Sequence, residues 1–228
     1  MQKIKEFIKE NKIIFIIISL LTPFRIFLAM KLPLFLQADA FYDDFLLVRY
    51  AKELLKFNWL GDFNFLTLAK GGSFSFFLAI NYVLGIPYSM ALIIIYIISI
   101  ILLILSIKKL INNKIFLSIL YIFLLYSPVM FHVENVQKVY RGGVIVSFSL
   151  IIIAGIIGIY TRIDSSNKKV LFWSLLSSIS LSFFWFLKED SIWILPFVLS
   201  ESINNKSCIT FLKYVPFLSV TAYSPYLI

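Results

Sequence analysis

Long unbroken apolar runs divide this sequence. Ala91–Ile107 and Gly143–Tyr160 approach the roughly 20 residues that cross a bilayer as a helix, and Ile13–Leu21 opens a further apolar stretch that continues to Leu32. Transmembrane barrels are excluded, because their strands alternate apolar and polar residues and these runs do not. The chain has 228 residues and is 61% hydrophobic, with a mean hydropathy of +0.93. No soluble core needs that much apolar surface. The expected fold is all-α: a polytopic transmembrane helical bundle of about 7–8 hydrophobic segments, read from the succession of apolar runs.

The net charge of +9 does not point to nucleic acid. The basic excess sits in short connectors between the apolar runs, as the positive-inside rule requires. One cysteine, Cys208, rules out an intramolecular disulfide and a cysteine-rich metal site, and the single His132 cannot build a zinc site alone. The N-terminus has the basic start and apolar run of a signal peptide, followed by Ala38-Asp39-Ala40. The run is too long for a signal core, so it reads as an uncleaved first span.

Charge placement predicts the order of the chain. Residues 1–12 form a basic, amphipathic cytoplasmic N-terminus, and residues 13–32 form span 1 with Pro23 and Arg25 inside it. An arginine at membrane depth is costly, so Arg25 either faces the bundle or snorkels to the outer interface. Residues 33–73 form an outer loop, and residues 74–228 the remaining spans. Phe74–Ile107 would stretch about 51 Å as one helix, too long for a single straight crossing. It breaks at Gly85-Ile86-Pro87. Two crossings would put Lys108, Lys109 and Lys114 outside. A surface-lying or re-entrant first segment followed by one crossing keeps them inside, and is the preferred reading. Later spans are expected at 115–131, 142–160, 170–187, 191–203 and from 209 onward. The last apolar run reaches Ile228 with no polar tail, which suggests a piece of a longer protein.

The outer loop gathers the acids. Gln37–Ser73 holds Asp39, Asp43, Asp44, Glu53 and Asp62, five of the twelve acidic residues. Within it Tyr42–Phe57 reads as an amphipathic juxtamembrane helix, with Arg49, Lys52, Glu53 and Lys56 on one face. Asp43 and Asp44 fall beside Leu47, Tyr50 and Ala51 instead. On this topology Lys70, Glu134, Arg141, Lys188, Glu189 and Asp190 reach the same outer side. Carboxylates suit general-base work or metal binding, and arginine and lysine suit a phosphate. Plainer roles compete: first-turn acids complement a helix dipole, Lys188-Glu189-Asp190 can cap a span, and Arg141 can anchor one. Lys70-Gly71-Gly72 lacks the spacing of a P-loop.

A resemblance attaches to these stretches. YDDFLLVRYAKELLKFNWLGDF, then LAKGGSFSFFLAINYVLGIPY, resembles the start of bacterial GT-C glycosyltransferases, polytopic enzymes related to protein mannosyltransferases and lipid A aminoarabinose transferases. YSPVMFHVENVQKVYRGG and FFWFLKEDSIWILPF are similar to the family's later Ser-Pro and cation-bearing segments. The resemblance implies sugar transfer from a polyprenyl-phosphate donor to a glycan, lipid or protein acceptor on the extracytoplasmic face of the cell membrane. It implies Asp43 as base with Asp44 as its partner, and Arg25, Lys70, Arg141 and Lys188 as ligands of the donor phosphate. Asp39, Glu134, Glu189 and Asp190 are further candidates, and a divalent cation (Mg or Mn) binds at the first loop in some members. The family usually has more spans, so a truncated member is implied. The competing readings are a transporter or lipid-linked sugar flippase, and an inactive fragment of a longer transferase. Charges clustered at one face and the lack of an internal repeat disfavour transport.

Overall fold

A computed structural model describes residues 12–36, 44–62, 71–162 and 167–187. The expected cytoplasmic stretch 1–11 and the spans at 191–203 and beyond 209 lie outside the described residues.

Among the described residues the fold is all-helical, and the one β-type feature is an isolated parallel bridge between Phe35 and Lys138. Eight helices follow in order: α1 Lys12–Lys31, α2 Asp44–Leu55, α3 Ser73–Val83, α4 Tyr88–Ile107, α5 Lys114–Leu125, α6 Val133–Val136, α7 Gly142–Tyr160 and α8 Asn167–Trp185. A 3₁₀ turn, Pro128–Met130, separates α5 from α6. Two of them, α4 and α7, are long and apolar enough to cross a membrane by length and composition.

Side-chain partners fix the directions. The hydroxyl of Tyr88, at the start of α4, donates to the carbonyl of Tyr140, just before α7 (2.9 Å). Beyond the other end of α7, Arg162 donates to Leu105 near the end of α4 (2.8 Å). These two helices therefore run parallel. Against α7, α8 runs antiparallel: Phe148 stacks on Phe183 with centroids 4.4 Å apart, and Gly155 lies against Ser177. Thr22 bonds the Tyr121 hydroxyl at 2.7 Å, and Arg25 reaches Leu125, so α1 and α5 climb together. α4, α7 and α8 are the most closely packed set. Their core holds Leu92, Ile93, Tyr96, Ile100, Val144, Ile152, Leu181 and Phe184.

The break foreseen at Gly85-Ile86-Pro87 is real. Gly85 takes φ +65°, open to glycine at little cost, and Pro87 caps the start of α4. With 11 residues α3 spans about 16 Å, half a hydrocarbon core. It packs against α2, where the Ser75 hydroxyl donates to the Leu47 carbonyl at 2.8 Å. Its Phe74 and Phe77 rings meet Tyr88. Hence α3 begins and turns back at one end of the bundle.

The juxtamembrane helix is shorter than foreseen, Asp44–Leu55, and buries the expected face through Leu46, Leu47, Tyr50 and Ala51. Its end is tied by Glu53, whose carboxylate accepts from Lys56 (2.8 Å) and Asn58 (3.1 Å). Those bonds, Lys56 first, hold the Glu53 carboxyl below its usual value. The chain then passes through left-handed backbone at Phe57, Leu60 and Gly61, which returns Leu60 onto Leu46, Tyr50 and Leu54.

Candidate functional site

One end of the bundle collects polar side chains that the sequence scatters over 100 residues. Its floor is the segment between α5 and α7. Ser127-Pro128 ends α5, because proline cannot donate to the helix ladder. Past a 3₁₀ turn and α6, two main-chain bonds with Phe35 hold the end of the segment at Lys138: Phe35 N–H to Gln137 O at 3.0 Å and Val139 N–H to Phe35 O at 3.2 Å. The strip between α1 and α2 is thereby pinned to the strip before α7, and Lys138 sits at the junction.

From there Lys138 Nζ lies 3.6 Å from Asp44 Oδ1 and 3.7 Å from Glu134 Oε2. Asp44 is completely buried and opens α2, where its charge also complements the helix dipole. Burying a carboxylate is expensive unless partners offset it, and Lys138 is one of them. Glu134 is the exposed member, with 61% of its side chain accessible. Lys138 also stands 4.9 Å from the Tyr140 ring centroid.

Arg141 is buried beside the same ring, with its guanidinium carbon 5.2 Å from the centroid. Its Nε donates to the Tyr140 hydroxyl (3.0 Å) and Nη1 to the Leu187 carbonyl (2.9 Å). Arg141 precedes the first turn of α7, where unpaired N–H groups add positive potential. Two cations and a helix N-terminus thus meet within one small region, next to a buried carboxylate.

Arg25 is placed differently. Its side chain is completely buried among α1, α5 and the turn after α5. Nε donates to Leu125 O (3.3 Å), Nη2 to Met130 O (2.6 Å), and the guanidinium lies 4.0 Å over the Phe131 ring. Of the two expectations for Arg25, facing the bundle is the one observed.

Of the other candidates, Asp39, Asp43, Lys70, Lys188, Glu189 and Asp190 lie outside the described residues. Asp44, Glu134 and Arg141 come to the same end. Lys138, absent from the sequence-derived candidates, is the residue that joins them. Its signal was its position four residues after Glu134 in a charged loop, which alone does not distinguish it from an ordinary surface lysine. Among the described residues no three His, Cys, Asp or Glu side chains gather as a metal site would need. An ammonium occupies the neighbourhood of Asp44, so the described donor set does not fit a divalent cation.

No known protein family matches the chain, and neither does any curated protein or solved structure.

Proposed function

We propose that this is a multi-pass membrane protein with a cytoplasmic N-terminus. In this reading the end bearing Asp44, Lys138 and Arg141 faces out of the cytoplasm and transfers a sugar from a polyprenyl-phosphate donor to a hydroxyl acceptor. Support for the membrane comes from outward apolar surface. Ile16, Leu20, Phe24 and Phe27 on α1, Ile119 and Phe123 on α5, and Leu171, Leu175 and Ile179 on α8 are all exposed. Apolar surface of this kind marks a face that meets lipid or another protein, and lipid accounts for it on three separate helices at once. The proposed orientation is supported by Lys108, Lys109, Lys114, Arg162, Lys168 and Lys169, which flank the opposite ends of the helices.

The observation that carries the transferase reading is the buried Asp44 carboxylate, ion-paired to Lys138 and sharing its end of the bundle with Arg141. The acceptor oxygen attacks the anomeric carbon and the bond from that carbon to the phosphate oxygen breaks. Asp43 takes the acceptor proton, with Asp44 as its buried neighbour. Arg141 and the first turn of α7 stabilise the negative charge that grows on the leaving polyprenyl phosphate. Lys70 and Lys188 are the sequence neighbours of this region assigned to the same phosphate.

The test supplies membranes containing the chain with a radiolabelled polyprenyl-phosphate sugar, alongside Asp43→Asn. We expect label in an acceptor with the parent chain and at least a hundredfold loss in the variant, a typical scale for a general base. Undiminished transfer in the variant would remove Asp43 from the base role. Label crossing the membrane without transfer would favour a flippase.

A further inference from the structure

The opposite end of the bundle collects cations. The connectors 108–113 and 161–166, with the first turns of α5 and α8, carry Lys108, Lys109, Lys114, Arg162, Lys168 and Lys169. Against them stands one acid, Asp164, which lies outside the described residues. The described acids, Asp44, Glu53, Asp62 and Glu134, all fall on α2, the turn after it or α6. Packing brings the two connectors together. Arg162 donates from Nη2 to the Leu105 carbonyl (2.8 Å) and from Nη1 to the Thr161 hydroxyl (2.8 Å), and its guanidinium covers the Trp173 ring. Ile107 and Ile159 pack against the buried cluster that holds Trp173. The end of α4, the end of α7 and the start of α8 therefore meet around Arg162. Lys109, just past α4, is carried to the same end as Lys168 and Lys169, and all three are exposed.

The surface beside these cations is apolar. Leu110 (59% exposed) follows Lys109, Ile115 (65%) opens the next helix, and Phe172 (53%) lies one turn beyond Lys168. Like charges gathered at one end raise its potential, and an anion lowers it. A free anion or a nucleic acid would meet the charge and leave the apolar rim in water. A phospholipid brings a phosphate and hydrocarbon to one place.

We propose that this end binds an anionic phospholipid, its phosphate drawn to Lys109, Lys168 and Lys169 and its acyl chains to the rim of Leu110, Ile115 and Phe172. Arg162 is the fixed floor between the lysines, tied to the ends of α4 and α7. The inference rests on the membrane reading and not on sugar transfer.

The purified chain in detergent is titrated with a fluorescent phosphatidylglycerol and, separately, with the matching phosphatidylcholine, which has no net charge. The anionic lipid is expected to bind about tenfold or more tightly, with an affinity that falls as salt rises. A lysine at a lipid surface is worth about fivefold. Lys109→Gln should therefore cost about fivefold for the anionic lipid, and Lys168→Gln with Lys169→Gln about twentyfold, with phosphatidylcholine binding unchanged. These side chains are exposed, so the variants empty no packed position. Arg49→Gln with Lys52→Gln removes two exposed cations from α2, at the other end, and should change neither affinity. Glycerol phosphate, a headgroup without chains, should not displace the lipid. Equal binding of the two lipids by the parent, or an equal loss in the α2 and α8 pairs, would overturn the inference and leave the membrane reading standing. Displacement by glycerol phosphate would overturn the lipid in favour of a free anion. Binding of neither lipid would overturn the inference too, and if the chain also enters no bilayer, the membrane reading falls with it.

Discussion

Arg25 shows what one residue does to an apolar helix. It stands in α1 with exposed Phe24 and Phe27 nearby, yet its own side chain is completely buried. Its fork closes on the carbonyls of Leu125, at the end of α5, and Met130, at the end of the 3₁₀ turn that follows. Replacing it by methionine strips donors from two carbonyls, each worth about 1–3 kcal/mol when left unpaired in a buried place. We expect Arg25→Met to lower the thermal midpoint in detergent, and Arg25→Lys to recover little, because an ammonium lacks the planar fork that spans both carbonyls. Full recovery by lysine would show that charge, and not the fork, is what the site needs. The cost of exposing Arg25 to lipid left two places for it in the sequence, the bundle or the outer interface, and did not choose between them. Its partners were not readable, since they come from a helix break 100 residues further along the chain. Lys138 was harder still. Its position beside Asp44 depends on the Phe35 bridge, and nothing in a tripeptide such as Gln137-Lys138-Val139 announces that pairing.

At the scale of elements, the apolar runs placed the helices, but the span expected at 115–131 is α5 Lys114–Leu125 with a 3₁₀ turn beyond it, and the one expected at 170–187 is α8 Asn167–Trp185. The stretch expected at 142–160 is α7 to the residue, and the break before α4 falls where Gly85 and Pro87 demanded it. What period and composition could not supply was which faces meet. The contact of α7 with α8 is made by small residues: Gly155 lies against Ser177 and Gly158 against the Trp173 ring. A methyl group built on Gly155 would come within 2.6 Å of Ser177 Cβ, closer than packed atoms allow. Small residues let helix backbones approach closely. Gly155→Ala and Gly158→Ala should therefore each destabilise the fold by about 1–3 kcal/mol, the usual cost of overpacking. The same change at Gly85 meets no neighbouring atom within 4 Å and strains only its left-handed backbone. Denaturant titration of the three variants separates the two causes. An equal loss at all three would show that backbone freedom, not interhelical clearance, governs α7.

At the scale of the whole molecule, helix directions and charge agree on one arrangement. α1, α5 and α8 run toward the end with Asp44 and Arg141, and α4 and α7 run away from it. The connector between α4 and α5, with Lys108 and Lys109, thus falls at the far end together with Arg162, whose guanidinium lies 5.0 Å over the Trp173 ring. In the proposed topology, counting α3 as a crossing would reverse every helix after it and put these cations outside, against the positive-inside rule. Cysteine accessibility decides this directly. With Cys208 changed to serine, single cysteines at Asn58 and Ser73 should react with an impermeant thiol reagent in intact cells, and one at Lys109 only after lysis. Asn58 is exposed at the end of α2, so failure to label there cannot be blamed on burial. Ser73 opens α3, and its labelling from the same side as Asn58 requires that α2 and α3 share that side. If Asn58 and Lys109 both react in intact cells, an even number of crossings separates them, and α3 must then pass through the bilayer. Since 11 residues reach only about 16 Å, that result would demand a thinned membrane or a helix longer than the one observed. The site at Asp44 would then lose the common side it shares with Arg141, and the transferase reading would fall with it.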